Sequence, residues 1–230
     1  MRSPSVGRTI SLILIIGFIA WTAVRAIGAR PAAIPRTPFP KPAVDEPLAS
    51  AKGKETVVLG GGCFWGVQAV FEHMNGVESA TSGYSGGHIK SPSYEMVSSG
   101  LTGHAESVSV TFDPSQITFG QILMIFFSVA HDPTQLNRQG PDTGSQYRSA
   151  IFYSNDEQKR IAEAYVAQLG AAQVYSQKIV TQIAPFEAFY RAEEYHQEYL
   201  ANHPNDPYIV YNDLPKLDRL KQQFPDLYRK

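Results

Sequence analysis

Cysteine is almost absent, and Cys63 is the only one in 230 residues. One thiol cannot close an intramolecular disulfide, and it cannot build a thiolate zinc site. The six histidines show no His-x-x-x-His spacing beside a carboxylate, so neither a bound metal nor a bound organic cofactor is expected. An excess of charge of either sign is lacking too. Lys and Arg total 20 against 21 Asp and Glu, for a net charge of −1, and no basic tract is present. That balance excludes the electrostatic footprint of a nucleic-acid binder. No internal repeat is evident.

The single thiol sits in a telling place. The apolar run Thr56-Val57-Val58-Leu59 ends in Gly60, Gly61 and Gly62, and Val67, Val70, Phe71 and Met74 then recur at helical spacing. Cys63 is therefore expected to open a helix after a tight strand-to-helix turn. There, free backbone N–H groups and the helix dipole favour the thiolate, and the flanking glycines leave the sulfur exposed to another molecule. Phe64 and Trp65 would form an apolar wall beside it. An isolated cysteine is more often a small buried hydrophobe, and only its neighbours reverse that reading.

The string Gly61-Gly62-Cys63-Phe64-Trp65-Gly66 is followed by Gly83-Tyr84-Ser85-Gly86-Gly87 and Gly103-His104-Ala105-Glu106. Then comes Gln139-Gly140-Pro141-Asp142-Thr143-Gly144-Ser145-Gln146-Tyr147-Arg148-Ser149. These four motifs, in this order, resemble the A-type peptide methionine sulfoxide reductases, and the resemblance runs from about Thr56 to about Tyr211. It implies reduction of the S epimer of methionine sulfoxide, free or in oxidised proteins, with Cys63 as the nucleophile that becomes a sulfenic acid. Glu106 matches the family's carboxylate. A sulfoxide oxygen leaves only when protonated, and burial would keep Glu106 protonated near neutral pH. By itself, a glutamate opening a strand is more often solvated. Tyr94 and Tyr147 fall where the family places oxygen-binding hydroxyls, Phe64 and Trp65 where it holds the methyl group, and Asp142 where it orders the site. Asp142 lies in a turn-rich loop and could equally serve its own turn.

Many members of that family carry further cysteines near the C-terminus that form a disulfide and exchange with thioredoxin. Here Pro207-Tyr208-Ile209-Val210-Tyr211-Asn212-Asp213 has none. An external thiol must therefore reach Cys63, whether thioredoxin, glutathione with a glutaredoxin, or a similar dithiol protein.

The N-terminus differs in kind. Arg2 and Arg8 precede an uncharged apolar run from Ile10 to Val24, and Arg30 to Ala51 is rich in proline and alanine. The expectation is a signal peptide or, favoured over it, an uncleaved single-pass anchor within residues 1–29. A Pro/Ala-rich tether over 30–52 follows, with a translocated catalytic domain over 53–230.

Strands are expected near Thr56 to Leu59, Ser107 to Phe112, Ser149 to Tyr153 and Lys178 to Ile183. Helices are expected near Cys63 to Met74, Phe119 to Ala130, Asp156 to Leu169 and Phe186 to Leu200. A short amphipathic helix would present Leu217, Leu220 and Phe224. This order gives an α+β or α/β two-layer sandwich, which the resemblance narrows to a ferredoxin-like mixed sheet packed by helices. Two other functions stay open. One is a thiol peroxidase or hydrolase built on Cys63 with His104, and the other a non-catalytic module that binds methionine or its sulfoxide.

Overall fold

Alternation along one strand decides which way the sheet faces. In Ala105–Phe112, Val108, Val110 and Phe112 are fully buried under the helices, whereas Ser109 and Thr111 are half-exposed on the opposite face. Glu106 shares the parity of the valines, so its carboxyl is carried to the helix side.

The computed structural model describes residues 38–230. Its main sheet has strands β1 (Glu55–Gly61), β2 (Val77–Ser85), β3 (Ala105–Phe112), β6 (Ser149–Tyr153), β7 (Gln182–Pro185) and β8 (Phe189–Arg191), in the order β7-β6-β1-β3-β2-β8. The strand pairs are antiparallel except β6 with β7. A small hairpin joins β4 (Arg138–Gln139) to β5 (Asp142–Thr143). Helices α1 (Phe64–Glu72), α2 (Tyr94–Ser98), α3 (Phe119–Ile125), α4 (Asp156–Ala171), α5 (Tyr199–Asn202) and α6 (Leu214–Gln223) complete the chain. The expected α+β sandwich with a ferredoxin-like mixed sheet is what forms, since the central four strands run β6-β1-β3-β2. Val57, Leu59, Val110 and Ile151 meet Val70, Phe71, Phe127 and Ile161 in one core.

The apolar segment Phe119 to Ala130 is helical throughout, but its second half, Phe126–Ala130, winds as a π-helix. Two expectations fail. The Lys178 to Ile183 strand lies later, at Gln182–Pro185, because pairing with β6 aligns Ala150 with Gln182 and the Val180 N–H goes instead to the Pro133 carbonyl. The Phe186 to Leu200 helix does not form. Phe189–Arg191 adds to the β2 edge, Gln197 binds the backbone of Ser82 and Ala192, and Glu198 takes a left-handed φ of 51°. Strand β2 escaped the sequence reading, since Val-Glu-Ser-Ala-Thr-Ser carries little apolar signal and takes its burial from neighbours on both sides.

The described part of the expected tether lies along the domain. Phe39 is buried against Tyr175, the Tyr165 hydroxyl donates to the Pro40 carbonyl, and the Ala43 N–H to Gln168. Asp45 accepts from the Gly120 N–H and the Thr118 hydroxyl at the start of α3, reinforcing a Thr118/Gln121 capping box. Phe39→Ala is expected to lower stability by about 3 kcal/mol, the lower end for a buried phenylalanine, read as a shifted urea midpoint at unchanged slope. Ile10 to Val24 lies outside the described residues, and no helix among those described is long and apolar enough to cross a membrane.

Candidate active site

Strand β1 delivers the thiol. It ends at Gly61, Gly62 turns at φ +87°, and Cys63 becomes the N-cap of α1. The turn requires glycine, because a Cβ on Gly62 would lie 2.4 Å from the Gln139 side chain. The glycines are thus filled by the protein's own packing and do not open a path for another molecule.

Cys63 is 7% exposed, against the expectation of an open thiol. Its pKa is pushed well up and not down, first by burial and then by the carboxylates of Glu106 and Asp213. The Trp65 backbone N–H and the Lys216 ammonium oppose them weakly. The helix start is where the sequence places it, but desolvation outweighs its dipole, and the resting sulfur is a thiol. Lys216 and Asp213 form a buried ion pair at 3.0 Å, pressed against Gly66, where a Cβ would lie 2.0 Å from Asp213 Oδ1.

Glu106, only 2% exposed, accepts a hydrogen bond from the Phe64 N–H at 3.1 Å, at the first turn of α1. Burial pushes its pKa up to about 8. The Phe64 bond works against that shift, and the Asp142 carboxylate adds to it. A protonated carboxyl therefore shares the cavity with Cys63 at neutral pH.

One cavity of about 190 Å³ is lined by Cys63, Phe64, Trp65, Tyr94, Glu106, Asp142 and Tyr147, all singled out in the sequence, together with Tyr208. Five separated segments of chain converge there. A larger cavity of about 390 Å³, between α4 and residues 173–179, holds no thiol and no carboxylate, and chemistry outweighs size in choosing between them.

Tyr208 is the lining residue the sequence did not reveal, since its segment was informative only for a missing cysteine. Its hydroxyl donates to Asp142 Oδ2. Burial raises the Asp142 pKa, with the Tyr208 bond and Lys216 opposing. Burial likewise raises the Tyr94 and Tyr147 phenols, so both keep a proton to donate. The aromatic wall extends beyond Phe64 and Trp65. Tyr199 stacks on Trp65 at 3.8 Å and 9°, Tyr208 meets it edge-on at 5.8 Å, and the Trp65 indole N–H donates to His196 Nδ1 at 3.2 Å.

His104 is not part of this site. Its Nδ1 accepts from the Gly87 N–H and its Nε2 bonds to the Ile89 carbonyl, which fixes the loop after β2. A Cys63–His104 pair, as a peroxidase or hydrolase would need, does not exist. Among the described residues no group of three or more His, Cys, Asp or Glu is placed to hold a metal ion.

A buried thiol, a protonated carboxyl, two phenols and an aromatic wall suit a small group with an apolar end and a basic oxygen. Comparisons with known proteins agree. The family model for peptide methionine sulfoxide reductase matches residues 55–228. The chain is 58% identical over 179 residues to the peptide methionine sulfoxide reductase MsrA 2 of Mesorhizobium japonicum, covering 78% of this chain and 92% of that relative. It is 52% identical over 171 residues to the peptide methionine sulfoxide reductase MsrA of Natronomonas pharaonis, covering 74% and 96%. The solved structure of methionine sulfoxide reductase A of Corynebacterium diphtheriae superposes with a TM-score of 0.60 at 37% identity, covering 68% of this chain and 78% of that one.

Proposed function

Because the chain belongs to the peptide methionine sulfoxide reductase family and so reduces methionine sulfoxide in the repair of oxidised proteins, we propose that Cys63 is its nucleophile and Glu106 its proton donor. The observation that carries this reading is the convergence of Cys63, Glu106, Tyr94 and Tyr147 on one small cavity.

The methyl group of the substrate rests on Phe64 and Trp65, and its oxygen points to Glu106 and the two phenols. With the methyl group and the oxygen fixed, only one epimer can present the chiral sulfur to Cys63, and the family resemblance implies that this is the S epimer. As the Cys63 sulfur attacks, Glu106 gives its proton to the sulfoxide oxygen and takes up the proton the thiol loses. The S–O bond of the substrate breaks, and the hydroxyl ends on the Cys63 sulfur. The substrate sulfur gains the electron pair that the cysteine sulfur gives up, so methionine leaves and a sulfenic acid remains. Tyr94 and Tyr147 donate to the oxygen as charge develops on it. Asp142, held by Tyr208, fixes the far wall.

With no second cysteine, an external thiol attacks the sulfenic sulfur, water leaves, and a further thiol releases Cys63 from the mixed disulfide. A dithiol protein such as thioredoxin or glutathione with a glutaredoxin would serve. The Ile10–Val24 run behind Arg2 and Arg8 supports an enzyme anchored at a membrane on its outer side, for which the intact mass of the mature protein is the test.

Turnover of peptides carrying either separated sulfoxide epimer, with excess dithiothreitol, tests the assignment. Reduction of the S epimer alone is expected; equal rates, or reduction of the R epimer alone, would contradict the proposed orientation.

A further inference from the structure

Tyr94 is the first residue of α2, a helix of only five residues, and its backbone N–H has no partner inside that helix. Ser93 caps the Met96 N–H and does not serve it. The Tyr94 N–H instead donates to Glu193 Oε1 at 2.9 Å, across 99 residues of sequence. The other carboxylate oxygen, Oε2, accepts from the Tyr84 hydroxyl at 2.8 Å.

Tyr84 is itself tied to the reacting groups. Register in the sheet pairs it directly with Glu106, so the two side chains stand together on the helix face. Its fully buried ring lies 5.9 Å from that of Phe64. Three residues beyond Glu193, the His196 ring packs on Tyr94 at 4.4 Å and on Phe64 at 5.1 Å, and its Nδ1 accepts from Trp65. The far end of α2 is fastened separately, by the Gln146 amide donating to the Ser98 carbonyl.

We propose that Glu193, which lies outside the cavity, is a positioning residue of the reaction: it sets the Tyr94 phenol in register with the wall formed by Phe64 and with the acid Glu106. This inference rests on the assignment of Tyr94 as an oxygen-binding residue. Burial alone would raise the Glu193 pKa, yet the bonds from Tyr94 and Tyr84 and the nearby His196 hold it below the ordinary carboxylate value, so it is ionised through the neutral range. A charged acceptor with two fixed donors is a stiff joint. Without it α2 keeps the bond at Ser98 and the packing of Val97 and Tyr94 but loses the polar anchor of its first residue, and a phenol displaced by about 1 Å is enough to lose up to about 100-fold in rate.

A double-mutant cycle in single-turnover kinetics on the full chain decides the matter. Glu193→Ala is expected to lower the rate about 10-fold or more in the wild-type background, but to have no further effect beyond about twofold in a Tyr94→Phe background. Glu193→Gln, which still accepts from the Tyr94 N–H, is expected to retain most of the activity. If Glu193→Ala fails to fold, Tyr84→Phe removes one of the two bonds and takes its place in the same cycle. Equal losses in both backgrounds, or no loss in either while Tyr94→Phe is impaired, would overturn the inference and leave the Tyr94 assignment standing. An unimpaired Tyr94→Phe would overturn that assignment and the inference with it.

Discussion

Replacing Cys63 by serine is expected to reduce methionine release by more than about 10⁴-fold, the scale on which loss of a covalent nucleophile acts, while leaving the fold and the cavity intact. No other sulfur in the chain can accept the oxygen as a thiol, since Cys63 is the sole cysteine. A serine hydroxyl fits the same space, and the thiol caps α1 without a side-chain hydrogen bond that the change would remove. Its oxygen, however, cannot be oxidised to a sulfenic acid, so the step fails chemically and not sterically. Phe64, Trp65 and the phenols should still hold the substrate. Loss of turnover with persistent quenching of Trp fluorescence by the S sulfoxide would separate the nucleophile from the binding wall.

Glu106→Gln is expected to cost about 10² to 10⁴ in the rate of the first turnover, the usual contribution of a positioned acid. The pH dependence gives the sharper reading. Glu106 has its pKa raised to about 8, so it holds the proton it must donate below that pH and loses it above. The Cys63 thiol, pushed well above its ordinary value, is still protonated there. The rate of the first turnover in the wild type should therefore fall as pH rises through about 8, and the decline should vanish in Glu106→Gln. A wild-type rate that climbs through the same range would mean that thiolate formation limits the step and that Glu106 is not the donor.

How much of this was legible in the sequence depended on whether a signal was local. Strand β1, the start of α1 and strand β6 announce themselves through apolar runs, glycines and spacing. Of the seven candidate site residues, six sit inside compact motifs and Tyr94 is placed by the resemblance alone, and all seven meet in one cavity. The environment of those residues was not legible. The state of the Cys63 thiol depends first on its own burial and then on Glu106, Asp213 and Lys216, which join it only through folding, and that burial reverses the expected direction of the thiol shift. Glu193 and His196 come from Phe186 to Leu200, expected as one helix, whose order is imposed instead by the β2 edge and by Gln197, and Tyr208 comes from a segment informative only for its lack of cysteine. The strap from Phe39 to Ala51 reads as a tether for a similar reason: its partners, Tyr165, Gln168 and Thr118, lie far along the chain.

The central claim is that one sulfur takes one oxygen. The full chain, freed of reductant and mixed with a peptide carrying the S sulfoxide, should release about one equivalent of methionine peptide and stop. Mass analysis of the protein quenched with dimedone should then find one dimedone joined to the Cys63 peptide by a thioether, the sulfenic hydroxyl having left as water. Continued turnover without reductant, or methionine released with Cys63 unmodified, would contradict the account.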